Sequence, residues 1–328
     1  MAGFQEDLRA SVEAWPPLPL DAWKDTRDTL HMWTQIAGKV RLALAPPRNH
    51  WWHTALRLWA RGLTTGPMPC GARDLELRFD LVNHDLVAET SDGRTRVLRL
   101  GPRTVRSFHE ELMAALRALD VDVHIWRMPV EVPDPIPFDE DEEHRAYDRA
   151  PVSRFFHVLE RTAEVLEAFA GDFVGKQSPV HFFWGSFDLA LTRFSGRRAP
   201  ERPGADRITR EAYSHEVLSF GFWPGGTVVG GAHVDEPVFY AYAAPEPPGF
   251  REAAVEPEAA RYDPQLSEFL LPYDTVRSSA APRDALLAFC RSTYEAGATL
   301  GRWDRAALEG RDLRTGPGAT EHGAVHPA

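Results

Sequence analysis

His53, Asp188 and His215 are the residues of this sequence best suited to proton transfer. A histidine exchanges protons near neutral pH, and a neighbouring carboxylate can orient or share that proton. The same three side chains would make a two-histidine, one-carboxylate metal set if their strands adjoined. They come from distant positions with no local ligand spacing, so the sequence assigns them acid–base roles and assigns no metal ligand. Arg57 and Arg61, on one face of an extended segment, could hold a carboxylate or phosphate bidentately. Ion pairing with Glu76 or Asp80 explains them equally well.

These side chains must be positioned by strands. In Trp51–Arg61 the even residues Trp52, Thr54, Leu56, Leu58 and Ala60 read as a core face. The odd ones, Trp51, His53, Arg57, Trp59 and Arg61, point the other way. Val180–Phe194 splits likewise: Phe183, Phe187, Leu189 and Leu191 against Phe182, Trp184, Ser186, Asp188 and Thr192. In His215–Trp223, Leu218, Phe220 and Phe222 oppose His215, Ser219 and Trp223, and Tyr240 and Tyr242 share a face further on. If the polar-aromatic faces lie on one sheet, they form a pocket with Trp59, Trp184 and Trp223 as walls. Ligand sites combine apolar walls with a few convergent polar groups. A solvent-facing sheet surface would account for the arginines but not for three tryptophans.

Helical periodicity appears over Leu20–Leu44 (Asp21 as N-cap, Pro46-Pro47 as stop), Arg103–Leu119, Val152–Asp172 and onward from Pro282. Leu75–Leu81 alternates as a strand, and Asp92-Gly93 marks a hairpin between Leu86–Thr90 and Arg94–Leu100. Val123–Met128, Glu216–Phe222 and Val238–Ala243 complete the strands, and Ala244–Pro272 reads as a loop. The expected fold class is α+β: an antiparallel sheet with helices on one face, in two related α-β-β-α halves. The halves cover about 18–128 and 151–308 of a single domain, 15–310. A Pro-rich, acidic connector, 129–150, joins them across the surface, and a disordered tail follows from 311.

Composition narrows the function classes. The 328 residues carry 37 Lys and Arg against 48 Asp and Glu, a formal charge of −11, which argues against nucleic acid and anionic membranes as partners. No apolar run is long enough to span a bilayer, no secretory leader is legible, and two cysteines build no disulfide framework; a cytoplasmic protein is expected. Familiar catalytic signatures fail in detail. His109-Glu-Glu-Leu-Met113 lacks the second histidine of a zinc-protease helix, and Gly171–Gln177 is too short for a phosphate loop.

Asn49-His-Trp-Trp-His53, Arg61-Gly-Leu-Thr-Thr65, Ser178-Pro-Val-His-Phe-Phe-Trp-Gly-Ser-Phe-Asp-Leu-Ala190, Glu211-Ala-Tyr-Ser-His-Glu216, Gly221-Phe-Trp-Pro-Gly225 and Tyr240-Ala-Tyr-Ala243 are distinctive runs. In them the chain resembles the bacterial domain-of-unknown-function family 5996, over about residues 15 to 310. The resemblance implies a bacterial, soluble protein with one family-wide domain, and it supplies no mechanism or cofactor. The leading expectation is a small polar or anionic molecule bound in the aromatic pocket, with His53, Asp188 and His215 available for catalysis. Arg57, Trp59, Arg61, Trp184, Ser186, Ser219, Trp223, Tyr240 and Tyr242 would bind it. The rivals are a non-catalytic protein-interaction module and a metal-dependent hydrolase.

Overall fold

A computed structural model describes residues 14–310. The stripe expected from residue 20 forms α1 (Lys24–Leu44), which ends ahead of Pro46-Pro47. Asp21 does not cap it: Asp21 lies in a preceding 3-10 turn, and Trp23 holds the N-cap position without a side-chain cap bond. Residues Thr29 to Arg41 of α1 are buried without interruption, Thr34, Gln35 and Lys39 among them, so the helix is enclosed on all sides. Trp33 stacks between Phe108 and Tyr147, with ring centroids 4.8 and 5.4 Å away. On another face the Trp184 indole lies so close to Gly38 that any Cβ there would overlap the ring.

Six antiparallel strands follow: β1 (Arg57–Trp59), β2 (Gly62–Thr64), β3 (Met68–Cys70), β4 (Arg73–Asp80), β5 (Asp85–Thr90) and β6 (Thr95–Arg99). They pair in the order β1-β2-β4-β5-β6, with β3 on β4. Leu75, Leu77 and Phe79 are buried, as the alternation of β4 requires, and Gly93 takes the positive φ of the β5–β6 turn. Helix α2 (Val105–Ala118) closes this half, N-capped by the Thr104 side chain.

The second half opens with α3 (Arg149–Ala170) and continues through β7 (His181–Phe183), β8 (Asp188–Arg198), α4 (Arg207–Ala212) and β9 (His215–Trp223). A two-strand ribbon, β10 (Gly226–Thr227) with β11 (His233–Val234), precedes β12 (Val238–Ala244), β13 (Arg261–Asp263) and β14 (Glu268–Pro272). The chain then forms α5 (Tyr273–Arg277), α6 (Pro282–Leu300, with proline in its first turn) and α7 (Arg305–Leu308). This sheet runs β13-β14-β12-β9-β8-β7, antiparallel throughout. The fold is therefore α+β. Residues 24–118 run helix, six-stranded antiparallel sheet, helix; from residue 149 a helix precedes the second six-stranded sheet, into which α4 and the β10–β11 ribbon are inserted, and α5 to α7 follow it. One bridge, Leu56 to Phe182, joins the edges of the two sheets.

Four expectations about elements need correction. Trp51–Arg61 is not one strand: His50 and Trp51 have φ of 56° and 60°, a 3-10 turn occupies 49–51, and pairing starts only at Leu56. Val180–Phe194 is broken by a turn at 184–187, where Phe187 has φ 62°. Val123–Met128 makes no strand; its backbone meets the connector instead, Phe138 N–H donating to the Arg127 carbonyl at 2.9 Å. Ala244–Pro272 is no mere loop, since β13 and β14 lie in it and complete the second sheet. The connector itself is half-embedded. Phe138 and Asp141 are fully buried, and Asp141 accepts from the N–H groups of Glu143 and His144 and from the His144 ring. The expected tail from 311 lies outside the described residues.

Candidate functional site

On the second sheet the period-two split sorts the side chains cleanly. Leu189 and Leu191 of β8, Leu218, Phe220 and Phe222 of β9, Phe239 of β12, and Phe269 and Leu271 of β14 enter the main core. Phe169 of α3 packs edge-on against Phe220 on this face. Asp188, Ser219, Trp223, Tyr240, Tyr242 and Glu268 belong to the opposite face. The register sets Tyr240 beside Gly221 on one side and Leu270 on the other, and Tyr242 beside Ser219.

That second face is the wall of a cavity of about 540 Å³, a volume suited to a small molecule. The N-terminal half of α1 supplies Arg27, Asp28 and His31, and connector residues 131–136 form the remaining side. The connector is held there by Gln35, whose amide nitrogen donates to the Val130 carbonyl at 2.8 Å while its oxygen accepts from Val130 N–H at 2.9 Å. Glu131 follows at once, with a left-handed φ of 57° that turns the chain along the cavity.

Five carboxyl side chains line this space: Asp28, Glu131, Asp134, Asp188 and Glu268. Asp188 is buried and accepts hydrogen bonds from the Ser186 and Tyr240 hydroxyls. Burial raises its pKa, and the two hydroxyls oppose that shift. Glu131 is open to the cavity yet crowded by protein; burial, then the charges of Asp188 and Asp206, push its carboxyl up to about 7. Half-buried Glu268 is pushed up to about 8 by burial, then by Asp188 and Asp263. Among the described residues neither glutamate has a hydrogen-bond or ion-pair partner, and Asp188 has no cation. The cations at the far side of the cavity are taken: Asp28 accepts from Lys24 at 2.7 Å and from Arg27 at 2.5 Å.

Phenols fill much of the remaining wall. The Tyr240 and Tyr242 rings stack, centroids 6.1 Å apart, and the Tyr242 and Tyr213 hydroxyls lie 2.9 Å apart. Burial, then Asp188, holds the Tyr240 phenol well above its usual pKa, so it stays a donor. His31 Nε2 lies 2.9 Å from the Gly185 carbonyl and 3.0 Å from the Gln35 amide nitrogen. Burial, then Arg27, drops its pKa to about 3, so it is neutral at physiological pH.

Gly221 is where β9 must lack a side chain, because a Cβ would overlap both the Leu189 carbonyl and the Tyr240 hydroxyl. Gly221→Ala is expected to cost about 1–3 kcal/mol through overpacking and to expel the Tyr240 hydroxyl from Asp188. Urea unfolding and the tyrosine absorbance titration check this.

The residues expected from the sequence divide among separate places. Ser186, Asp188, Trp223, Tyr240 and Tyr242 line the cavity. Ser219 sits on the same face, its hydroxyl 3.0 Å from that of Thr192. His53 and His215 do not join Asp188: the break at 50–51 takes His53 out of the strand, and His215 pairs with Arg198, at the opposite end of β8 from Asp188. His53 Nδ1 accepts from Arg48 N–H at 3.1 Å, and His215 lies against His50, ring centroids 5.6 Å apart. Among the described residues no group of three His, Cys, Asp or Glu side chains could hold a metal ion. Arg61 pairs with Asp80 at 2.7 Å. Trp59 donates to the Phe79 carbonyl at 3.3 Å on the first sheet, and Trp184 donates to the Thr54 carbonyl at 2.8 Å, against α1. Arg57 faces the seam between the sheets rather than the cavity. Glu131 and Glu268 were missed: one is among many acids of a Pro-rich connector, the other opens a five-residue strand without alternation. The only trace of Glu131 is its place between Val130 and Val132, both packed on the core.

Fold and geometry together define an α+β protein with an acidic, tyrosine-lined cavity on the second face of its C-terminal sheet. Residues 15–310 match the family of unknown function DUF5996, and the chain belongs to that family. No curated protein and no solved structure matches it. Among the described residues no helix is long and apolar enough to cross a membrane.

Proposed function

We propose that this protein binds a small organic cation, a molecule carrying a protonated amine or guanidinium, in the cavity between α1 and the second sheet. One observation carries the reading: Glu131, Asp188 and Glu268 line one cavity, and among the described residues none of them has an ion-pair partner. Carboxylates crowded in this way repel one another, and a bound ammonium relieves the repulsion while forming charge-assisted hydrogen bonds. Trp223 and the stacked tyrosines add aromatic faces that favour a cation over a neutral molecule. A small polar ligand thus keeps its support, and an anionic one loses it, since Arg57 and Arg61 lie elsewhere. Acid–base chemistry, if the bound molecule undergoes any, falls to Asp188 with Tyr240 rather than to His53 or His215. The free thiols of Cys70 and Cys290 suit a reducing cytoplasm.

Titration calorimetry at pH 8 with 1,4-diaminobutane, agmatine and succinate tests this. Saturable binding of either amine and none of succinate is expected. Failure of both amines at millimolar concentration, or binding of succinate alone, overturns the proposal. A stable protein partner recovered in place of a bound amine favours an interaction module, and metal that co-purifies and is needed for binding favours a hydrolase.

A further inference from the structure

We infer a second site, independent of the acidic cavity, that binds the phosphate group of a small molecule at the seam between the two sheets. The seam is made where Leu56 and Phe182 exchange both backbone hydrogen bonds, each at 2.9 Å. In an antiparallel pair the next residues, Arg57 and His181, stand opposite each other with their side chains on one face. The last turn of α1 brings Arg41 to the same place. Arg48 and His53 arrive from the turn that follows, the one broken by the left-handed His50 and Trp51.

What gathers there is unpaired. Arg41 is 7% exposed and His181 1% exposed. The Nε atoms of Arg41 and Arg57 and both ring nitrogens of His181 are buried without a partner. Among the described residues no carboxylate pairs with Arg41, Arg48 or Arg57. This is unusual in a chain with 48 acidic and 37 basic residues, in which Arg61, four positions beyond Arg57, has its aspartate. Buried guanidinium groups without a counter-charge are costly, and an anion bound among them would supply that charge. Burial, then Arg57 and Arg48, lowers the Arg41 pKa to about 10; burial, then Arg57, Arg41 and Arg48, holds His181 at about 4. The His53 Nδ1 atom accepts from Arg48 N–H, so its Nε2 carries a proton to donate. Two or three guanidinium forks with an imidazole N–H match a dianionic phosphate better than a single carboxylate.

Calorimetry with inorganic phosphate and with glucose 6-phosphate, at physiological salt, tests the site on the full chain. Saturable binding of at least one is expected. Tighter binding of the monoester identifies a phosphorylated metabolite as the natural ligand, and equal binding identifies free phosphate. Arg57→Gln, on a half-exposed residue, should weaken binding by about 10- to 100-fold, the worth of a charge-assisted hydrogen-bond pair. Arg61→Gln and the Glu131→Gln/Glu268→Gln pair should leave it unchanged, so loss of amine binding and loss of phosphate binding are distinguishable. No phosphate binding by the wild-type chain, or equal binding by Arg57→Gln, overturns the inference.

Discussion

Replacing Glu131 and Glu268 together with glutamine is expected to weaken amine binding at pH 8 by at least about 100-fold, since each carboxylate–ammonium hydrogen bond is worth about 1.5–3 kcal/mol. The same change should stabilise the unliganded protein at that pH. Both carboxyls are raised from their usual range, to about 7 and about 8, so between pH 4.5 and 8 the folded state holds protons that the unfolded chain releases. Stability from these groups is complete below the unfolded pKa and is lost as pH rises through the folded one. Glutamine does not titrate, so the variant escapes that loss. For half-buried Glu268 the gain at pH 8, discounted for solvent, is on the order of 1–3 kcal/mol. Urea unfolding at pH 5 and pH 8 checks it: the wild-type chain should lose stability relative to the variant between the two. A constant difference would show that the carboxyls are not crowded.

Phe155→Ala should be among the most damaging single substitutions, at about 3–5 kcal/mol. Phe155 is fully buried in α3 and meets rings from both sides of the cavity. Its centroid is 5.1 Å from Trp23, just before α1, and 5.2 Å from Phe187, on which it stacks at 12°. Phe187 holds the left-handed turn that delivers Asp188 to β8. Removing the ring leaves a void beneath that turn, so amine affinity should fall along with stability. Denaturant midpoints with unchanged m-values measure the first effect, and calorimetry at a temperature where the variant is folded measures the second. A stability loss under about 1 kcal/mol would mean that the surrounding side chains collapse into the void.

Much of the fold was legible because periodicity reports burial. The stripes of α2, α3 and α6 and the alternation of β4 each face one core, and their sequences say so. Helix α1 was legible as a helix but not as an enclosed one: Thr34, Gln35 and Lys39 are buried because two sheets and a connector surround them. The polar-aromatic face of β8, β9 and β12 followed from alternation alone, and it supplied Asp188, Trp223, Tyr240 and Tyr242. Alternation failed where the backbone turns left-handed at non-glycine residues. His50, Trp51 and Phe187 give no compositional warning of positive φ, so His53 and Trp184 were set on faces they do not share with Asp188. Glu131 owes its place to Gln35, 96 positions earlier, through bonds to its neighbour Val130. Long-range pairing of that kind leaves no local pattern.

The central claim is that a ligand's positive charge completes the carboxyl cluster of Glu131, Asp188 and Glu268. Calorimetric titration of 1,4-diaminobutane at pH 7.5, repeated in buffers of different ionisation enthalpy, counts the protons exchanged on binding. Ionisation of a shared, partly protonated cluster predicts net release of a substantial fraction of one proton or more, and predicts that the release disappears in the Glu131→Gln/Glu268→Gln variant. Binding with no proton release, or with the same release in that variant, would contradict it.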